Sequence, residues 1–147
     1  MTYSIVAKDK KTGAVGIAVA SRFFACGAMV PFVARNVAVA SQAFCNPLWG
    51  IEGRDRLNAG EKGDSVLSDF VKRDAGQSIR QAHIIDIYGN ISAHTGEDCV
   101  DWAGHASADL VSVAGNMLVG ENVVRDTLAS YQDNIEKDFL DRLLLAM

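Results

Sequence analysis

The sequence predicts an α+β protein in which two sheets pack on one another and helices cover the outer faces. Two observations carry this. The chain runs in blocks, strand pairs followed by two helices and then the same again. The strands also sort small residues from large ones. Along 14–21, Val15, Ile17 and Val19 share one face, while Ala14, Gly16, Ala18 and Ala20 share the other. A face built only of Ala and Gly lets another layer approach closely, so both faces are expected to be covered. The 147 residues are enough for one domain, 1–147, with a sizeable core.

Taken in order, residues 3–8 form a first strand and Asp9-Lys10-Lys11-Thr12-Gly13 a tight turn. Gly13 takes the left-handed position there, and Asp9 bonds forward to the turn backbone. Residues 14–21 return, and 37–44 repeat the small/large habit. A helix follows Pro47 and stops near Gly60. Asp64 caps a second helix whose stripe is Val66, Leu67, Phe70 and Val71, ending near Gly76. Residues 81–87 and 91–95 form a hairpin about Tyr88-Gly89-Asn90. A loop from Gly96 to Ala108 leads to a strand over 110–114 that breaks at Gly115-Asn116. Helices over about 121–132 and 135–146 close the chain, with Ile135, Phe139 and Leu143 on the inner stripe of the last. The strands at 3–8, 14–21 and 37–44 are expected in one sheet, and those at 82–87, 91–95 and 110–114 in the other.

The net charge of −4 and the lack of a Lys/Arg run argue against nucleic acid or an anionic membrane as partner. Cys26, Cys45 and Cys99 cannot all pair within one chain and show no C-x-x-C spacing. Nothing at the N-terminus reads as a signal peptide, so a reduced, cytoplasmic protein is expected.

Chemistry centres on Thr2. If Met1 is removed, Thr2 carries a hydroxyl nucleophile and, on the same residue, an α-amine of pKa about 7.7–8.0 able to take its proton. Ser21 and Arg22 end the strand paired with the first and so come close to Thr2. Arg22 suits a substrate carboxylate. Asn116, after Gly115 at a strand-to-helix switch, offers an amide and neighbouring backbone N–H groups for an oxyanion. Gln42 and Asn46 flank Phe44, where their amides reach a substrate carbonyl; Asn46-Pro47 equally reads as a turn opener. His94 and His105 lie on a loop expected near the pocket. With Cys99 they suggest a metal site, but H-x4-C-x5-H fits no structural zinc pattern, and no metal or other cofactor is expected. His83, between apolar neighbours in a strand, reads as structural.

Six ordered motifs carry more than periodicity does: T-Y-S-I-V-A from Thr2, G-I-A-V-A-S-R-F-F-A at 16–25, Q-A-F-C-N-P at 42–47, A-H-T-G at 93–96, W-A-G-H at 102–105 and G-N-M-L at 115–118. Together they resemble an uncharacterised bacterial family, a domain of unknown function grouped structurally with the N-terminal-nucleophile (Ntn) hydrolases. The resemblance implies an Ntn-hydrolase-like α-β-β-α sandwich of two stacked antiparallel sheets. It also implies a chemistry class, an amidohydrolase acting on a small-molecule or peptide-like substrate with Thr2 as nucleophile. Proteasome β-subunits, a more distant likeness, have Asp-Ser-Arg at the end of the second strand; here Ala20-Ser21-Arg22 keeps Ser and Arg without the acid. Their lysine before the third strand has no counterpart in Ala28-Met29-Val30-Pro31, where Arg35 is the only nearby cation. Family members usually continue past Leu-Leu-Leu-Ala-Met with further strands, so the chain is expected to be C-terminally short. A homo-oligomer is then expected, with Leu140, Leu143, Leu144 and Met147 at its contact. The alternative readings are a non-catalytic binding or assembly module of the same fold and, more weakly, a metal-dependent hydrolase on the His94–His105 loop.

Overall fold

The first strand, β1 (Thr2–Lys8), turns through Asp9–Gly13 into β2 (Val15–Ser21). Asp9 accepts from the Thr12 amide and hydroxyl, and Gly13 has φ +75°, the left-handed geometry that closes the turn. A single turn of helix, α1 (Cys26–Met29), precedes a hairpin of β3 (Pro31–Ala34) and β4 (Val37–Ala43). Two helices follow, α2 (Pro47–Asn58) and α3 (Gly63–Arg73), then β5 (Arg80–Ile85) and β6 (Ile91–Thr95). A second hairpin, β7 (Trp102–Ala108) and β8 (Val111–Leu118), leads to α4 (Asn122–Asp133) and α5 (Phe139–Ala146). The computed structural model describes residues 1–147.

Two four-stranded antiparallel sheets result, ordered β2-β1-β8-β7 and β3-β4-β5-β6. They stack face to face, with α2 and α3 outside one and α4 and α5 outside the other. Strand alternation explains the layers. Val37, Val39, Ala82 and Ile84 turn outward to meet Trp49, Leu57, Val66 and Phe70 of the helices. Ile5, Ala7, Val111 and Val113 of the other sheet meet Val124, Tyr131 and Leu143. Between the sheets lie Val6, Val30, Ala38, Ala40 and Ile85, with Val15, Ile17 and Val19 against them. Each large side chain so buried contributes about 1.5–3 kcal/mol.

The expected division of strands is corrected here. Residues 37–44 belong to the sheet of β5 and β6, and 110–114 to that of β1 and β2. The small-residue face of β2 does not meet the other sheet; it takes a helix. A Cβ at Gly16 would lie 2.8 Å from Leu143 Cδ1 and 3.1 Å from the Phe139 ring, so glycine there is what seats α5. Leu143 is therefore buried rather than at a surface, while Leu140 and Leu144 are exposed.

Boundaries also shift. The segment expected as a loop to Ala108 contains β7, and β8 runs through Gly115-Asn116 without a break. β3 was not expected at all. Helix α3 starts before Asp64, which occupies its first turn rather than its cap, and ends at Arg73 instead of near Gly76. The last helix starts at Phe139, because 134–136 form a turn and Asp138 is the cap, and Ile135 is exposed. No helix is long and apolar enough to cross a membrane.

Candidate active site

Thr2 is the first residue of β1 and is buried, paired with Ser21 on one side and Asn116 on the other. Directly opposed residues in an antiparallel sheet point to the same face, so all three side chains face the space between the sheets. Thr2 Oγ1 lies 2.8 Å from Ser21 Oγ. Ser21 Oγ donates to the Met1 carbonyl at 3.1 Å and accepts from the Phe23 amide at 3.0 Å. With its own proton committed to Met1, Ser21 is the acceptor of the Thr2 hydroxyl.

A cavity of about 280 Å³ opens here, lined by Thr2, Ser21, Arg22, Gln42 and Asn116, with Met1, Phe23, Val30, Ala43 and Met117 completing it. Arg22 is exposed and takes part in none of the protein's ion pairs. Ala43 and Met117, at φ 65° and 55°, hold left-handed backbone conformations that cost non-glycine residues roughly 1–3 kcal/mol each. Ala25, Asp101 and Leu110 share that conformation away from this cavity. No sequence signal announces it at Ala43 or Met117, since neither residue is glycine or asparagine.

Behind the cavity a buried polar network joins the sheets, and its hydrogen-bond directions are fixed from one end. Gln81 Nε2 faces the carbonyls of Gly104 and Gly115, at 3.1 and 2.9 Å, which can only accept. Gln81 Oε1 is thus an acceptor, for Gln42 Nε2 at 2.8 Å and Asn116 Nδ2 at 3.0 Å. Gln42 Oε1 then accepts from Ser4, whose Oγ accepts from His83 Nε2 at 2.9 Å. His83 Nδ1 in turn accepts from Ser112 at 2.9 Å. His83 is neutral: burial, reinforced by the charge of His105, pushes its pKa down to about 3.

The last link fixes Asn116. One of its N–H groups goes to Gln81, and its buried Oδ1 has no partner. Asn116 stands inside β8 rather than at the start of a helix, which begins at Asn122. Helix-dipole assistance at this residue is therefore removed. Gln81 was not singled out in the sequence, although the polar pair Gln81 and His83 on one face of an apolar strand was a visible signal.

The remaining candidates lie elsewhere. Asn46 caps α2, accepting from the Leu48 amide at 3.1 Å and donating to Asp74 at 3.0 Å. His94 sits under Trp49, 5.8 Å between ring centroids, with Nε2 2.9 Å from the Gln77 carbonyl. His105 Nδ1 is 2.9 Å from Thr95 Oγ1, and Cys99 Sγ turns to the Arg80 carbonyl. None of these lines the Thr2 cavity. Nor do His94, Cys99 and His105 converge as a group that could hold a metal.

Fold and site together define a mixed α+β protein of two stacked antiparallel sheets, with Thr2 in a cavity between them. The chain belongs to the DUF1028 family, a family of unknown function, whose model matches residues 2–147. A crystal structure of a DUF1028 protein from Silicibacter pomeroyi is similar to it, with 31% identity and a TM-score of 0.93, over 99% of this chain and 67% of that one. The sequence matches no curated protein.

Proposed function

We propose that the protein is an N-terminal-nucleophile hydrolase, with the sandwich fold of that class, that cleaves small amide or peptide-like bonds through Thr2. The observation that carries this reading is the placement of the Thr2 hydroxyl, 2.8 Å from Ser21 Oγ in a cavity shared with Arg22 and Asn116.

While Met1 is attached, the Thr2 nitrogen is an amide and cannot act as a base. After its removal the amine takes the hydroxyl proton as Oγ1 adds to the substrate carbonyl. It then returns that proton to the departing nitrogen as the C–N bond breaks. An ester on Thr2 remains, and water, deprotonated by the same amine, cleaves it to free the acid and restore Thr2. Loss of the Met1 carbonyl also frees the Ser21 hydroxyl proton, which turns to the new amine or to the bound substrate. Arg22 positions a substrate carboxylate. The second N–H of Asn116 and nearby backbone amides supply the oxyanion contacts.

A second reading, a non-catalytic binding or assembly module, is favoured by one observation: the Met1 carbonyl accepts from Ser21 and from the Arg22 amide, occupying the groups that the chemistry requires. The proposal of a homo-oligomer rests on exposed Leu140, Leu144 and Leu145. The hydrolase reading is tested by exposing the Met1-free chain to a β-lactone. Attack by Thr2 opens the ring and adds the whole lactone mass as an ester, and fragmentation places it. An adduct on Thr2 supports the reading, and an unmodified chain or one labelled elsewhere contradicts it.

A further inference from the structure

At the other end of β1 from Thr2, about 20 Å along the strand, Arg142 of α5 is only 7% exposed. No carboxylate lies within salt-bridge distance of it, since none of the protein's ion pairs uses it. Its Nε is buried without a hydrogen-bond partner. Its one bond is a long one, from Nη2 to the Tyr131 carbonyl at 3.4 Å, and its guanidinium stacks on the Tyr131 ring at 4.0 Å. Taking a guanidinium out of water without an anion is costly, and buried charges are ordinarily paired. Stacking on one ring and a long bond to one helix carbonyl offset little of that cost.

Two cavities, of about 370 and 340 Å³, meet at Arg142, Ile135 and Lys10. Lys8 and Lys10 stand on the wall of the first, and Lys11 and Lys137 on that of the second. Lys8 Nζ is spent only on the Ile87 carbonyl. The acids present are otherwise engaged or peripheral. Asp9 spends its carboxylate on Thr12 and feels the Arg142 charge without bonding to it, exposed Asp109 pairs with Lys10 at 3.5 Å, and Asp138 lies on the second cavity alone. Five cations thus face three carboxylates, in a chain whose net charge is −4. Leu110, Val111, Ile135 and the Tyr131 ring give the first cavity an apolar wall, with Gln132 beside them.

We propose that this is a binding site for a small organic anion, its phosphate or carboxylate seated on Arg142 and its apolar body against Tyr131, Leu110 and Ile135. Arginine's planar fork matches either oxyanion, and the flanking lysines draw it in. The site is separate from Thr2 and does not depend on the hydrolase reading.

The test is an NMR titration of the Arg142 Nε–H resonance, an atom that a surface effect would not reach. The probes are phenyl phosphate, benzoate and inorganic phosphate. Phenyl phosphate or benzoate is expected to shift this resonance saturably. Inorganic phosphate, which lacks the apolar body, binds at least tenfold more weakly. The better aryl probe identifies the oxyanion. Arg142→Lys keeps the charge but loses the fork, and should weaken binding about tenfold or more while the spectrum stays folded. Arg142→Met should abolish binding. If that variant does not fold, Arg142→Lys and Lys10→Ala, which removes a flanking cation, decide the matter. An unmoved Arg142 Nε–H, shifts spread evenly over surface lysines, or unchanged affinity in Arg142→Lys would overturn the proposal.

Discussion

The hydroxyls of Thr2 and Ser21 lie 2.8 Å apart across the first strand pair, with Phe23 N–H and the Met1 carbonyl saturating the other positions on Ser21. Ser21 thus links the Thr2 hydroxyl to the Met1 carbonyl. In the Met1-free chain, Ser21→Ala should lower kcat on a small amide by about 10²-fold or more, within the range for a proton-handling group, with KM little changed. Stability should move little, since Ser21 sits at a strand end near solvent. Unaltered kcat in steady-state kinetics would mean that the contact only orders the strand.

Arg22 makes no ion pair, so its charge is free for a ligand. Arg22→Ala should cost about 10–100-fold in kcat/KM on an amide that carries a carboxylate, the worth of a charge-assisted hydrogen bond. On the neutral analogue it should cost little, and Arg22→Lys should recover part of the loss. Equal losses on both substrates would remove Arg22 from carboxylate recognition.

His83 yields a pH signature. Its folded pKa is pushed down to about 3, chiefly by burial, against about 6.5 unfolded. Between those values the unfolded chain holds more protons than the folded one. The stability owed to neutral His83 is therefore complete above the unfolded pKa and is lost as pH falls below it, by up to about 1.4 kcal/mol per pH unit. Carboxylates such as Asp9, lowered mainly by the Thr12 hydroxyl, add their own loss at lower pH. His83→Gln should remove the His83 part alone, leaving that of His105, whose pKa burial also lowers. Urea unfolding from about pH 7 to about pH 5 should show wild type losing stability more steeply than His83→Gln; parallel curves would show that His83 is not held neutral.

The strands and helices were legible where alternation was strong, as in β1, β2 and the Val66–Phe70 stripe of α3. Sheet membership was not, because Val-Ala alternation is the same on 15–20 and 37–40 whichever sheet they join. Only the long-range pairings Thr2↔Asn116 and Gln42↔Gln81 decide it. Strand β7 was hidden by Gly104, His105 and Ser107, residues with weak strand preference that pair because β8 lies beside them. In the site, Thr2, Ser21 and Arg22 followed from one hairpin register, and Gln42 and Asn116 from motifs. Asn46, His94 and His105 were drawn in by residue type, but each has a local hydrogen bond elsewhere. The strained Ala43 and Met117 and the polarity set by Gln81 arise only from tertiary packing.

In the proposed chemistry Thr2 is both nucleophile and base. This double role is tested most directly by amide hydrolysis with Met1-free wild type, Thr2→Ser and Thr2→Ala, each mass-verified at its N-terminus. Turnover in wild type should rise with pH through about 7.7–8.0 as the amine deprotonates. Thr2→Ser, which keeps hydroxyl and amine, should show a reduced but measurable rate, and Thr2→Ala none above background. Turnover in Thr2→Ala equal to that of wild type would contradict that role.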